Sequence, residues 1–471
     1  MQNLDATDSG GWAALLHGRN LLLSLALSGG VVIHAVNLYL TTTILPSVVH
    51  DIGGIEYYAW STTLYVVASI IGAAVASRLL QQRGPRDGYL LSATAFALAS
   101  ALCASATSMP MLLVGRTAQG LAGGMLVALP YALVHSVFAR SLWPRAMAMI
   151  SGMWGVSTLL GPALGGLFAE WGLWRAAFWS LLPVIALFAA MAVTVLPPRP
   201  PQATTAQPLP WLQLAVLTLA VLAASLASVG ERTAVRLAWL GATALLVLAF
   251  DRSQQRARRC LLPRGALRVS NPLGTLYAIL ALLSVAVTCT EIFVPLFLQD
   301  LHGRSPLQAG YIAALMSMGW TTGSILSSGQ VGARRQHLLV ASPLLVLVAT
   351  LALAALMPGR SADAALLWAL AAALTCSGLG VGIAFPHLSA RVLGAGRADE
   401  AELAASSIMT VQLCATAFGA ALAGLIVNVA GQPAAGSSAI DLQAASRWLF
   451  TSFALAPALC LALIWRRRKA L

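Results

Sequence analysis

Residues 20–54 read NLLLSLALSGGVVIHAVNLYLTTTILPSVVHDIGG, a run with no Asp, Glu, Lys or Arg until Asp51 and a closing Gly-Gly. About 20 apolar residues cross the ~30 Å hydrocarbon core of a bilayer as a helix, so the stretch 20–46 is long enough to span. Its closing segment returns 249 residues later, where Pro46-Ser-Val-Val-His-Asp51-Ile-Gly-Gly54 is matched by Pro295-Leu-Phe-Leu-Gln-Asp300-Leu-His-Gly303. Further on, Gly72-Ala-Ala-Val-Ala-Ser77 is similar to Gly323-Ser-Ile-Leu-Ser-Ser328 at an offset of 251, and Ala122-Gly-Gly124 to Gly378-Leu-Gly380 at 256. Each match is weak alone. Three in order at nearly one spacing point to a duplicated chain whose halves run in the same direction. Two similar bundles in parallel suit a transporter that rocks about a central site, an arrangement a channel or membrane enzyme does not need.

The composition agrees. Of 471 residues, 59% are hydrophobic and 9% charged, against about 45–50% and about 25% in soluble domains, which excludes a soluble enzyme or nucleic-acid binder. The net charge of +13 sits in short clusters between apolar runs, not on one basic face, so no nucleic-acid partner is implied. Apolar runs mark spans near 20–46, 57–77, 89–107, 110–138, 146–169, 174–196, 211–229, 234–250, 272–299, 308–329, 337–357, 364–390, 403–430 and 446–465, fourteen in all. The pair 211–229 and 234–250 is also compatible with a short re-entrant hairpin. Alternate loops receive 21 and 6 basic residues, which places both termini in the cytoplasm of a multi-pass inner-membrane protein, and the Arg- and Ala-rich usage suggests a bacterial source. Trp60, Trp143, Trp174, Trp211, Trp448 and Trp465 fall where interfacial anchors belong.

The expected class is thus all-α and polytopic. A cytoplasmic tail (1–19) precedes a six-helix bundle (20–196). A linker (197–270) carries two extra helices and an Arg-rich loop, a second six-helix bundle covers 271–465, and a basic tail 466–471 closes the chain. The six cysteines show no CxxC spacing and read as small buried hydrophobes. No cleavable signal peptide is expected. No Walker A, HExxH or Ser/His/Asp grouping is present, so neither enzymatic activity, a metal nor a cofactor is expected, and a proton gradient is left as the energy source.

Charges inside spans are costly and mark function. Of fifteen acids only Glu291 lies well within a span, about eight residues from the outer end of its helix, hence roughly 12 Å deep at 1.5 Å per residue. Arg116 is the one basic residue comparably deep. His34 lies near mid-membrane and is of a type that titrates near neutral pH. Each also has a plainer reading, in which Arg116 is tied to Gln119, Glu291 to neighbouring backbone, and His34 is a satisfied hydrogen-bonder.

Several stretches carry a family resemblance. Span four opens Gly115-Arg116-Thr-Ala-Gln119-Gly120-Leu-Ala-Gly-Gly124. Span five contains Gly155-Val-Ser-Thr-Leu-Leu-Gly161-Pro162-Ala-Leu-Gly165-Gly166. Span six begins Trp174-Arg175-Ala-Ala-Phe178 and reaches Pro183, and the second half opens with the segment 294–310. These resemble the RxxQGxG, GPxxGG and WRWxFxxNxP motifs of the major facilitator superfamily, specifically its fourteen-span drug:proton antiporters (EmrB/QacA-like). Ser77-Arg78-Leu-Leu-Gln81-Gln82-Arg83-Gly84-Pro85-Arg86 is similar to that family's loop after span two, with Gln81 at the acidic position and Arg83, Gly84 and Arg86 kept as the turn. In span one, Asn37 stands where the family often has Asp.

The resemblance implies the facilitator fold and export of amphipathic molecules in exchange for protons. It also implies that span four and the first span of the second half (272–299) line a central cavity, so that Glu291 is the expected proton carrier with Arg116 facing it and His34 in reserve. Asn37, Tyr39, Tyr65, Gln119, Tyr131, Trp154, Trp320 and Gln412 are candidate cavity residues. Gly120, Gly161, Pro162, Gly165 and Gly166 are structural. The expected partners are a small-molecule substrate, protons and the lipid bilayer; a periplasmic adaptor fits the placement, but no residue calls for one. Export of a specific metabolite such as a siderophore, or a non-transporting sensor or assembly factor, are the rival readings.

Overall fold

A computed structural model of the chain describes residues 12–139, 142–198, 210–230, 232–257, 260–327, 330, 332–359, 363–395, 401–432 and 441–467. The outer part of the N-terminal tail, most of the 197–201 proline segment, Arg140, Arg258, Arg259, Arg360, Arg397 and residues 468–471 lie outside them. The elements are α1 (Trp12–Leu15), α2 (Gly18–Ile52), a 3-10 turn η1 (Ile55–Tyr57), α3 (Tyr58–Ala104), α4 (Met109–Val137), α5 (Trp143–Glu170), α6 (Trp174–Trp179) and α7 (Leu181–Val195). There follow α8 (Trp211–Val229), α9 (Thr233–Arg256), α10 (Pro272–Asp300), α11 (Pro306–Ser327), α12 (Gly332–Leu356), α13 (Ala364–Ala395), α14 (Ala401–Ala430), α15 (Leu442–Phe453) and α16 (Leu455–Arg467). Thirteen helical stretches among the described residues are long and apolar enough to cross a membrane. The polar Gln308, Ser317, Thr321, Thr322 and Ser324 keep the 22-residue α11 out of that set.

Helix breaks follow the prolines and glycines. α3 is two antiparallel limbs joined at Gly84, whose φ of 82° lies in the left-handed region that only glycine enters without cost. The stretch 174–196 is not one unbroken helix. It breaks at Ser180 because Pro183 has no N–H to offer the Trp179 carbonyl and its ring presses on that turn. The stretch 446–465 begins earlier, at Leu442, and breaks at Ala454, again three residues before a proline, Pro457.

The duplication is written into the packing. In a bilayer, helices associate through small residues that let backbones approach. A side chain at Gly120 would strike the Tyr65 carbonyl, at Gly124 the Ser69 carbonyl, and at Gly72 the Leu121 carbonyl. In the second half, side chains at Gly378, Gly382 and Gly323 would strike the carbonyls of Met316, Trp320 and Leu379. These are the same three contacts, shifted by 251 residues in α3/α11 and by 258 in α4/α13. The offset of 256 read from Ala122-Gly-Gly124 is therefore two residues short: Gly120 and Gly124 correspond to Gly378 and Gly382.

The halves α2–α7 and α10–α16 touch along α5 with α11, α3 with α14, and α2 with α10 and α11. α8 lies in this seam, packed on both α3 and α14, and α9 packs on α8. Both are full-length helices, not a re-entrant hairpin. α9 runs to Arg256, past the expected end at 250, so Arg252 and Arg256 belong to a helix and not to a loop; Gln255 Nε2 donates to Asp251 Oδ2 one turn back at 2.6 Å. Trp174 is buried, not a lipid-facing anchor. Its Nε1 donates to Asp51 Oδ2 at 3.1 Å beside Arg175, which reaches the same oxygen at 2.7 Å and the Ala106 carbonyl at 2.9 Å.

Candidate substrate and proton site

The deepest polar cluster lies in the first half, where α2, both limbs of α3 and α4 converge. Arg116 is 1% exposed. Its Nη1 donates to Gln119 Oε1 at 2.8 Å and its guanidinium lies over the Tyr65 ring, 4.1 Å from the centroid, while its Nε has no partner. Gln119 is the hub: Oε1 also accepts from Cys103 Sγ at 3.3 Å, and Nε2 donates to Ser100 Oγ at 2.9 Å and Asn37 Oδ1 at 3.3 Å. The Tyr65 hydroxyl meets His34 Nδ1 at 2.9 Å and donates to the His34 carbonyl at 3.2 Å. Trp154 of α5 stands edge-on to His34, ring centroids 5.8 Å apart.

Gly123 is the reason this pair fits. A Cβ there would lie 2.8 Å from His34 Nδ1 and 2.9 Å from Tyr65 Oη. The counterparts of the cluster in the second half are apolar or small. By the offsets of the duplication, Arg116 corresponds to Leu374, Gln119 to Ser377, Tyr65 to Met316, His34 to Leu283 and Asn37 to Ala286, all buried. The second half instead carries Glu291, whose counterpart is Thr42. Duplicated frames thus bear opposite chemistry, a buried cation on one side and a carboxylate on the other.

Glu291 sits on α10, half-buried, and makes no hydrogen bond or ion pair among the described residues. Tyr39 of α2 lies within its electrostatic reach, beside the hydroxyls of Thr158 on α5 and Ser317 on α11. Glu291 and Arg116 are not paired: the contacts of Arg116 all stay within the first half. Tyr131 and Gln412 are half-buried, and Trp320 packs on Phe385, centroids 5.7 Å apart, inside the second half. Ser100, Cys103, Gly123, Thr158 and Ser317 join the cluster without having been singled out in the sequence. Small polar residues in a span have the same letters whether they pack or bond; only the i, i+3 spacing of Ser100 and Cys103 hinted at a shared face.

The Gly-Pro motif of α5 closes one end of the molecule. A side chain at Gly161 would strike Tyr39, at Gly165 the Leu40 backbone, and at Gly166 Leu307 of α11, while Pro162 abuts Gly310. At this Arg-poor end His50 Nε2 meets Asp300 Oδ1 at 3.1 Å, and Gln299 Nε2 donates to the Thr43 carbonyl at 3.3 Å. Asn428 Nδ2 donates to the carbonyls of Glu56 at 2.8 Å and Ser228 at 3.1 Å, while Ser228 Oγ accepts from Trp60 Nε1 at 3.2 Å. Toward the Arg-rich end α5 loosens. Side chains at Gly152 and Gly155 would meet open space. Arg83 is exposed and Arg86 half-buried around the Gly84 turn at that end.

The chain is similar to known proteins over nearly its full length. The family model described as Major Facilitator Superfamily matches residues 27–412. A probable multidrug-efflux transporter of Mycobacterium tuberculosis is 40% identical over 435 residues, 90% of this chain and 91% of that protein. Multidrug resistance protein 3 of Bacillus subtilis is 25% identical over 77% of this chain and 70% of its own. Among solved structures, a bacterial homologue of the human lysosomal transporter Spinster, in an inward-facing and unoccupied conformation, superposes with a TM-score of 0.65 at 12% identity, covering 96% of this chain and 97% of that one. With a duplicated helical fold, a buried polar cluster in its first half and these matches, the chain belongs to the Major Facilitator Superfamily and is a multi-pass membrane transporter, not an enzyme.

Proposed function

We propose that the protein is a proton-driven exporter of small amphipathic molecules in the bacterial inner membrane, of the fourteen-span drug:proton antiporter kind, with both termini cytoplasmic. The observation that carries this reading is Glu291: a carboxylate in the interior of a span, half-buried and unpaired among the described residues, on the helix that faces Tyr39. The 40% identity to a probable multidrug-efflux transporter supports efflux as the direction.

In this reading the Arg-poor end is periplasmic and closed, and the cavity opens to the cytoplasm. Substrate enters among Tyr39, Trp154 and Trp320 while Glu291 is ionised. Rocking breaks the contacts of His50, Gln299 and Asn428 and turns Glu291 toward the periplasm, where taking up a proton removes its charge and lets substrate leave. Return with the proton resets the cycle. Arg116, held on Gln119 and Tyr65, keeps one fixed positive charge in the opposite wall, which favours ionised Glu291 whenever the walls approach. A narrower substrate, a single anionic or neutral metabolite such as a siderophore, is favoured by one observation: the first-half cluster offers a cation and Asn37 where a carboxylate would select cationic drugs.

The test is accumulation of a panel of dyes and drugs in efflux-deficient cells expressing the wild type or Glu291→Gln at matched levels, with and without an uncoupler. Accumulation lowered by the wild type, and restored by both uncoupler and substitution, supports proton antiport through Glu291. Lowered accumulation that ignores the substitution contradicts it.

A further inference from the structure

A second site lies at the Arg-rich end of the second half, away from the cavity chemistry. Gly323, Leu326 and Ser327 of α11, Arg334, His337 and Leu338 of α12, and Leu379 and Ile383 of α13 line, with Gln330, an open pocket of about 410 Å³. On α13, Leu379, Ile383, His387 and Arg391 follow one another at intervals of four, so one winding stripe runs from the pocket wall into a cationic cluster. His387 is 6% exposed; its ring bonds the Ser327 carbonyl, and Arg335 and Arg391 both act on it electrostatically. Three buried nitrogens here have no partner: His387 Nε2, Arg391 Nη1 and Arg335 Nε. Among the described residues none of Arg334, Arg335, Arg391 and His387 forms an ion pair with a carboxylate.

Buried donors left unsatisfied are costly, more so when charged. Two guanidinium donors, Arg335 Nε and Arg391 Nη1, left unsatisfied beside the exposed Arg334 of the pocket rim, with no carboxylate paired to them among the described residues, describe a place for an anion. Guanidinium forks match phosphate oxygens in pairs. The pocket's other wall is apolar and continues outward into Leu326 and Ile325, 68% and 69% exposed. A free anion has no use for such a wall; an acyl chain does.

We infer that this pocket binds a phosphate-bearing anion, and that the anion is the headgroup of an acidic membrane phospholipid whose chain lies along Leu326, Leu338 and Ile383. Basic pockets between spans on the cytoplasmic side are suited to such headgroups because the anionic leaflet supplies them. The site is separate from Glu291 and its occupancy does not depend on what is exported.

The experiment is native mass spectrometry of the purified full chain mixed with phosphatidylglycerol or, separately, phosphatidylcholine of equal chain length, with inorganic phosphate as a third arm read by thermal shift. Wild type retains phosphatidylglycerol over phosphatidylcholine, and the double variant Arg334→Gln/Arg391→Gln retains at least fivefold less. Arg334→Lys/Arg391→Lys recovers part of it, and Arg78→Gln on the first half leaves it unchanged. If the double variant does not fold, His337→Gln on the exposed rim lowers retention in the same sense. Equal retention by wild type and variants overturns the site. Stabilisation by inorganic phosphate without selective phosphatidylglycerol retention overturns the lipid assignment.

Discussion

Placing a guanidinium at depth costs about 2.5–3.5 kcal/mol on insertion scales, and Arg116 offsets it without a carboxylate. One hydrogen bond to Gln119 and the face of Tyr65 take that role, and a desolvated cation–π contact contributes about 2 kcal/mol. Both contacts need a flat fork, so Arg116→Lys should lose efflux about as fully as Arg116→Gln at matched membrane expression, because an ammonium cannot lie on Tyr65 and reach Gln119 together; full activity of the lysine variant would remove the geometric role. Gly123 supports a second prediction. Adding one methyl as Gly123→Ala drives it into His34 and Tyr65, an overpacking cost of about 1–3 kcal/mol. The purified variant should melt lower than wild type, while Gly152→Ala, where the methyl meets open space, should not. The sequence made Arg116, Glu291 and His34 visible because a lone charge or imidazole in an apolar run stands out. It offered Gln119, three residues along the same helix, as a partner of Arg116, but did not reveal the Tyr65 face or that Arg116 stays apart from Glu291, since partners on other helices depend on rotation about each helix axis, which 20 apolar letters do not record.

At the scale of elements, α3 with α4 and α11 with α13 are the same object built twice. Gly124 and Gly382 press on the carbonyls of Ser69 and Trp320 in equivalent places. Gly124→Val and Gly382→Val should therefore each part a helix pair and cut the yield of folded protein to a similar, low level, read by size-exclusion chromatography in detergent; one variant folding normally would break the equivalence. Span existence was legible from hydropathy alone, and the repeat from three short matches. The two-residue error in the fourth-span offset came from aligning glycines by letters, whereas packing selects the glycine whose missing Cβ admits a carbonyl. The twin breaks ahead of Pro183 and Pro457 were readable in principle, and they extend the repeat to the last span of each half. The place of α8 in the seam was not, because its sequence is an apolar run interrupted only by Trp211, Gln213, Thr218, Ser225 and Ser228.

For the whole molecule, the two halves are joined at the Arg-poor end by contacts of modest strength: a partly exposed His50–Asp300 pair and a few hydrogen bonds. Such a closure is firm enough to define a state and weak enough to open, since surface pairs contribute about 0–1 kcal/mol each. Gly424 of α14 faces Ala59 of α3, Cβ to Cβ at 2.8 Å for a side chain added at Gly424. In a background without the native cysteines, Ala59→Cys/Gly424→Cys should form a disulfide on oxidation and stop efflux reversibly, restored by reductant. Efflux undiminished by a completed cross-link would show that this end need not open.

The central claim is that Glu291 couples protons to substrate movement and does not merely help to hold the substrate. Proteoliposomes loaded with a transported dye separate the two. With the coupling carboxylate removed, Glu291→Gln should keep exchange of labelled for unlabelled dye at a rate within a few-fold of wild type, yet lose uphill transport when a pH gradient is imposed. Uphill transport by Glu291→Gln, driven by that gradient at the wild-type rate, would contradict it.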